Sequence, residues 1–199
     1  AQAEAGIGGI MLEVRRISDA IKHLTCSVEE AIREGNRWIH IWGALYLAYA
    51  YYLSENEKQS IAYLNEFIQN SEDVHVTVRD FPFFLELCLA IEQKKLPCIP
   101  GISFERELDK MIRSRNIFIR GIAYRYKALF LKEQGMPHGK VLRLLNISLT
   151  LLEESGHQIE VARSMLELTR LYLSSGEDRK ARKTASLASK ILSLDDMAL

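Results

Sequence analysis

Apolar residues recur at three- and four-residue spacing along most of the chain, which is the signature of amphipathic helix. Val14, Ile17, Ile21 and Leu24 form one such face, and predict a first helix over 11–24. Ser27-Val-Glu-Glu30 has the form of a capping box and predicts the start of a second, ending at Gly35. Residues 37–53 read as a third helix. Asn56 reads as the cap of a fourth, which carries Ile61, Leu64, Phe67 and Ile68. Asp80-Phe-Pro82 opens a fifth that runs to about Lys95, since proline is tolerated in a first turn. Leu96-Pro-Cys-Ile-Pro-Gly101 cannot be regular helix. Beyond it, Ser103 caps a sixth helix ending near Arg115. Segments 116–134, 139–155, 158–174 and 177–192 give four more. No segment alternates convincingly as a strand. The short β-branched run Val74–Val78 reads as an extended connection.

The turns repeat. Gly135 and Gly176 close helices of similar length and lie 41 positions apart, and Asn56 lies 79 before Gly135. A period near 40 with two helices per unit predicts an all-α fold, a right-handed α-solenoid of antiparallel helix pairs. The expected organisation is a tail, tag remnant or linker over 1–10, N-terminal helical repeats over 11–95, and a proline-containing break over 96–102. C-terminal repeats follow over 103–199, the whole forming one continuous solenoid. Because the chain opens on Ala and stops soon after a helical stretch, a segment cut from a longer protein is expected.

Composition narrows the class. The 199 residues hold 26 Lys plus Arg and 26 Asp plus Glu, so the formal net charge is +0, which argues against a strongly basic nucleic-acid binder. Cys26, Cys88 and Cys98 are an odd, dispersed set without zinc spacing. They point to a reducing compartment, hence the cytoplasm. No apolar run reaches the ~18 residues of a membrane span.

On the ninth helix, Ile159, Ala162, Leu166, Thr169 and Leu173 make one stripe, and Val161, Met165, Leu168 and Tyr172 a second. Two stripes require neighbours on two sides. Ala181, Ala185, Ala188 and Leu192 make a narrow stripe on the tenth. With Ser175-Gly-Glu-Asp-Arg-Lys-Ala181 between them, 159–192 resembles a tetratricopeptide (TPR) unit, although the period here exceeds the roughly 34 residues usual for that family. A wider resemblance rests on Asn116-Ile-Phe-Ile-Arg-Gly-Ile-Ala-Tyr-Arg-Tyr126, Leu151-Leu-Glu-Glu-Ser-Gly-His-Gln-Ile-Glu-Val-Ala-Arg163 and Leu166-Glu-Leu-Thr-Arg-Leu-Tyr172. These segments resemble the helical sensory region of bacterial transcription activators that work with sigma-fifty-four, and less closely the solenoid of the maltose-activator class. The resemblance implies a regulatory, non-catalytic segment whose ATPase and DNA-binding modules lie elsewhere.

Catalytic patterns are weak. Gly135-Met-Pro-His-Gly139-Lys140 lacks the spacing, the following Ser or Thr and the preceding strand of a phosphate loop, and reads as a turn. Gly6-Ile-Gly-Gly9 is no stronger. Two E-x-x-H strings, Glu72–His75 and Glu154–His157, sit near helix ends, not mid-helix as a di-iron bundle requires. His23 and His40 read as ordinary hydrogen-bonded histidines. No enzyme, metal or cofactor is expected.

Two clusters remain. Arg106, Lys110, Arg113, Arg115, Arg120, Arg125 and Lys127, against Glu107 and Asp109, leave a local excess of +5 with Tyr124 and Tyr126 among them. Arg113, Arg120, Tyr124 and Arg125 could hold an anionic ligand or an acidic segment, or form a solvated helix face. Arg179-Lys-Ala-Arg-Lys183 is a lesser basic run. Trp38, Trp42, Tyr46 and Tyr49 fall along one helix face, with Tyr52 at its edge. That face either lines a groove that grips a peptide or packs as core. The expected function is a protein-interaction or ligand-sensing regulatory domain of a cytoplasmic bacterial transcription regulator. The alternative is a stand-alone TPR-type peptide-binding scaffold. Partners are a protein, a peptide or a small anion, with no membrane and no direct nucleic-acid contact; a homo-oligomer is compatible.

Overall fold

A computed structural model describes residues 1–71 and 82–195, and among them the secondary structure is entirely helical. The helices are α1 (Gln2–Glu13), α2 (Ile17–Arg33), α3 (Arg37–Leu53), α4 (Glu57–Ser71), α5 (Pro82–Glu92), α6 (Phe104–Ile112), α7 (Ile117–Glu133), α8 (His138–Ser155), α9 (Gln158–Ser174) and α10 (Asp178–Asp195). The chain divides into two compact units, 1–103 and 104–199. The run Val74–Val78 and the residues Asp80 and Phe81 lie outside the described residues.

The repeat is built from one recurring turn. Helices close on a residue in the left-handed region at Arg15, Gly35, Glu55, Lys94, Gly135, Gly156 and Gly176. At Gly35 the amide donates to the Ile32 carbonyl, and the next amide, Asn36, donates to the Ala31 carbonyl at 2.8 Å. This is the Schellman pattern, which satisfies two orphan carbonyls of the last turn. The same pair of bonds recurs at Arg15, Glu55, Lys94, Gly135 and Gly176. Asn36 and Asn56 then cap the following helix, their side-chain oxygens accepting from the Ile39 and Gln59 amides. One residue thus ends one helix and starts the next. Such short links leave consecutive helices little choice but to pack side by side and antiparallel. Positions 15, 35 and 55 are 20 apart, and 135, 156 and 176 are 21 and 20 apart. The 41-residue period is therefore two helix-plus-turn steps.

In the first unit, α1 packs on α2 and α3, α2 on α3, and α3 on α4 and α5. Its core is made by Leu24 and Val28 from α2, Ile41, Leu45 and Leu47 from α3, Leu64 and Phe67 from α4, and Phe84 and Leu85 from α5. In the second unit each helix from α6 to α10 packs mainly on its sequence neighbours. Ala128, Val141, Leu145, Leu168 and Leu171 form its central cluster. Phe104 packs on Phe130 with ring centroids 5.0 Å apart.

The N-terminal boundaries differ from the sequence expectation. Residues 2–13, read as a tail, form α1, although glycines at 6, 8 and 9 lower its intrinsic helix propensity. Packing overrides propensity. A β-carbon on Gly8 would sit 2.5 Å from Cγ of Leu24, so the missing side chain is what lets α1 and α2 approach. The expected helix over 11–24 is broken at Val14–Arg16, where Arg15 has φ of 60°. The Ser27 capping box lies inside α2. Ser27 is buried and its hydroxyl donates to the Ala1 carbonyl at 2.9 Å, so it packs against α1 instead of starting a helix.

Candidate functional site

The aromatic stripe of α3 divides in two. Tyr49 is buried; its ring stacks on Phe83 of α5 at 5.1 Å and its hydroxyl donates to Oε2 of Glu86 at 2.8 Å. That end of the stripe is core. Trp38, Trp42 and Tyr46 instead line a cleft between α3 and α1 of about 560 Å³. Ring centroids step along α3 at 5.9 Å from Trp38 to Trp42 and 6.2 Å from Trp42 to Tyr46, with the planes tilted by 40° and 31°. The i, i+4 spacing of the helix produces this shelf directly. Trp38 is 44% exposed, while Trp42 and Tyr46 are half-buried.

The opposite wall comes from α1: Gln2, Ala5, Gly6, Gly9, Ile10 and Glu13, with Asn36 and Ile39 closing one end. Small residues keep this wall low. A β-carbon on Gly9 would lie 3.5 Å from the Tyr46 ring, and one on Gly6 would meet nothing within 4 Å. Ile7 and Ile10 of α1, and Val14 just beyond it, continue the apolar character outward as exposed residues. Burial raises the Tyr46 phenol, and the Glu13 carboxylate raises it further, to about 12; the hydroxyl therefore stays protonated at neutral pH. Among the described residues lining the cleft, Glu13 is the one that carries charge. The α1 half of the site was missed in the sequence because three glycines argue against helix. The signal that would have found it is the spacing of Ile7, Ile10 and Val14.

The arginine cluster is dispersed. Arg125 is buried between α7 and α9, 2.5 Å from Oε2 of Glu160, and it also donates to the Glu160 carbonyl and the Ser164 hydroxyl. Ser148 of α8 completes the network at 3.0 Å from Ser164. Burial disfavours the Arg125 charge, but Glu160 and Tyr126 together outweigh this and raise its pKa. Burial raises the Glu160 carboxyl, while Arg125 and Arg163 outweigh it and hold that group below its ordinary value. Arg125, one of the candidate residues, is thus placed inside the fold as half of a buried ion pair. Lys110 and Arg106 pair with the buried Glu107, and Arg113, largely exposed, lies 3.9 Å from Asp109. Arg120 and Tyr124 are half-buried on α7, and the Arg120 Nε has no hydrogen-bond partner among the described residues. No convergent anion cradle forms from this set, because each helix turn disperses neighbouring cations around its axis.

The remaining strings resolve as turn and surface chemistry. Gly135 closes α7, and Gly139 lies in the first turn of α8. His23 meets Glu4 at 2.7 Å and His40 meets Glu66 at 2.5 Å, linking α2 to α1 and α3 to α4. The string Glu72–His75 lies outside the described residues. Glu154 is exposed at the end of α8, and His157 stacks on Phe118 at 4.5 Å. No metal-binding group of His, Cys, Asp and Glu occurs among the described residues. Cys26, Cys88 and Cys98 form no disulfide. No described helix is long and apolar enough to cross a membrane. A second, open groove of about 540 Å³ follows one face of α8 along Leu142, Arg143, Asn146, Ile147 and Thr150. Comparison with protein families, with characterised proteins and with solved structures finds no match.

Proposed function

We propose that this chain is a non-catalytic TPR-like interaction module, a right-handed solenoid of helix pairs that binds a segment of a partner protein in the cleft between α1 and α3. The observation that carries the reading is the cleft itself. Its floor is two tryptophans and a tyrosine, and its far wall is stripped of side chains at Gly6 and Gly9. Its size lies within the ~300–1,000 Å³ usual for ligand sites, and large rigid aromatics are the residues that dominate binding energy at interfaces. Repeats that contact mainly their neighbours support the same reading, since small changes at each junction accumulate along the array.

In this reading the module serves a bacterial, cytoplasmic transcription regulator. Occupancy of the cleft biases the packing of α1 on α2 and α3, and thereby an effector module outside this chain. The segments 116–126 and 151–172 support that context by their resemblance to sensory regions of activators. The stand-alone scaffold needs only the cleft, which is complete within the first unit.

Peptide display tests the site. Peptides selected on the wild-type chain are expected to lose binding to Gly6→Leu and Trp38→Ala. Gly6→Leu places a side chain in the cleft where nothing stands within 4 Å, so it blocks without disturbing the core. Selected peptides that bind both variants as tightly as wild type would place the interaction elsewhere.

A further inference from the structure

The cleft is not merely apolar. Trp38, Trp42 and Tyr46 all line it, and the face of an aromatic ring carries negative potential that attracts cations, tryptophan most strongly. The charge among its described lining residues is the carboxylate of Glu13, and no lysine or arginine is among those residues. Glu13 stands close enough to the shelf for its charge to be felt at the Tyr46 hydroxyl. An anion placed here would meet a carboxylate and ring quadrupoles of the same sign. A neutral apolar chain would gain nothing from the Glu13 carboxylate, which is exposed to water.

We infer that the cleft takes a cationic side chain, a lysine or arginine of the partner segment, with its charge against Glu13 and the rings of Trp42 and Tyr46 and its aliphatic stem along Trp38 and Ile10. This rests on the binding role proposed above and adds the chemistry of the occupant. Long cationic side chains suit such a place, because the stem buries against apolar surface while the head keeps a polar partner. Low walls at Gly6 and Gly9 leave room for the partner's backbone to pass close to α1. The basic preference is opposite to the one drawn from the arginine cluster of α6 and α7, whose cations are partly taken up by Glu107, Asp109 and Glu160.

The protein supplies its own reporter. Both of its tryptophans, Trp38 and Trp42, line the cleft, so intrinsic tryptophan fluorescence reads this site alone. The full chain is titrated at pH 7 with n-butylammonium chloride, the side-chain analogue of lysine, and in parallel with 1-butanol, its neutral counterpart. A saturable change is expected with the cation at about tenfold lower concentration than with the alcohol, a ratio in the range of one cation–π contact plus an exposed counter-charge. Glu13→Gln is expected to remove most of that preference, and added NaCl to weaken it. Gly6→Leu is expected to abolish both responses. Equal binding of the alcohol, or an undiminished cation preference in Glu13→Gln, would overturn the cationic assignment and leave the cleft as an apolar binding site. A fluorescence signal indifferent to both probes would also overturn it, while the peptide selection with Gly6→Leu and Trp38→Ala decides the binding role separately.

Discussion

Arg125 on α7 and Glu160 on α9 meet as a buried ion pair, Nη2 to Oε2 at 2.5 Å, and so join helices that are not consecutive in the chain. Both side chains are at most 5% exposed. Removing one partner of such a pair strands the other charge in a poorly solvated site, at a cost of about 3–5 kcal/mol. Arg125→Ala is therefore expected to lower the denaturant midpoint of the second unit strongly. Arg125→Met combined with Glu160→Leu should recover most of the loss, because no fully buried charge is left behind; Arg163, which also pairs with Glu160, keeps access to water. Chemical unfolding followed by circular dichroism compares the two; an Arg125→Ala chain as stable as wild type would contradict the pairing.

The pair also sets a pH dependence. The Glu160 carboxyl lies lower in the fold than in the unfolded chain, where an ordinary Glu titrates at about 4.3. The folded state then holds its proton less tightly than the unfolded state. Its stabilisation is complete above pH about 4.3 and is lost as pH falls through the lower folded value. Glu160→Gln should be less stable at pH 7, with a shallower further loss on acidification below that point. A wild-type curve no steeper than the variant's in that range would refute the assignment.

Two glycines of α1 separate packing from binding. Gly8→Ala drives a β-carbon to 2.5 Å from Leu24 and is expected to cost about 1–3 kcal/mol by overpacking. Gly6→Ala meets open space and is expected to stabilise by up to about 1 kcal/mol, since alanine is the better helix former. Thermal melts of the two variants should move in opposite directions. If both melt alike, α1 is not seated on α2 as described.

Arg15, Glu55 and Lys94 hold the left-handed position that glycine holds elsewhere in the repeat. A β-carbon there costs about 1–2 kcal/mol, partly offset by the freedom glycine brings to the unfolded chain. Glu55→Gly should accordingly stabilise the fold by about 0.5–1 kcal/mol and raise the melting temperature. A lower melting temperature would mean that the Glu55 side chain makes a contact worth more than its strain.

These same positions explain what could be read from the sequence and what could not. Helices with a polar cap and an apolar face were legible nearly to the residue: 37–53 and 158–174 coincide with α3 and α9. The period of 41 was visible because Gly135 and Gly176 mark their turns. The turns at Arg15 and Glu55 carry no such mark, since backbone hydrogen bonding and packing enforce a conformation their side chains do not favour. Ser27-Val-Glu-Glu30 satisfies a capping pattern yet lies inside α2, where burial against α1 outweighs a local preference worth about 1 kcal/mol. In the site, the spacing of Trp38, Trp42, Tyr46 and Tyr49 gave a shared face but not what faces it. Phe83 packs on both Tyr46 and Tyr49, and Glu86 ties Tyr49 into the core, while Trp42 and one side of Tyr46 line the cleft opposite Gly6 and Gly9. Those partners are 33 or more residues away in sequence, and helical periodicity carries no information at that range.

Trp38 takes part little in the core, so its role can be read apart from stability. Trp38→Ala is expected to change the unfolding free energy by less than about 1 kcal/mol, as for other exposed substitutions, while removing one face of the cleft. Loss of peptide binding with an unchanged midpoint would separate the two effects.

The affinity of one selected peptide for wild type and for Gly6→Leu, measured by tryptophan fluorescence with melting temperatures determined on the same samples, tests the central claim most directly. An occupied cleft predicts at least about a tenfold loss of affinity in Gly6→Leu, equivalent to ~1.4 kcal/mol, with a melting temperature no lower than wild type. Equal affinities in two equally folded proteins would show that the space between α1 and α3 is not where this chain binds.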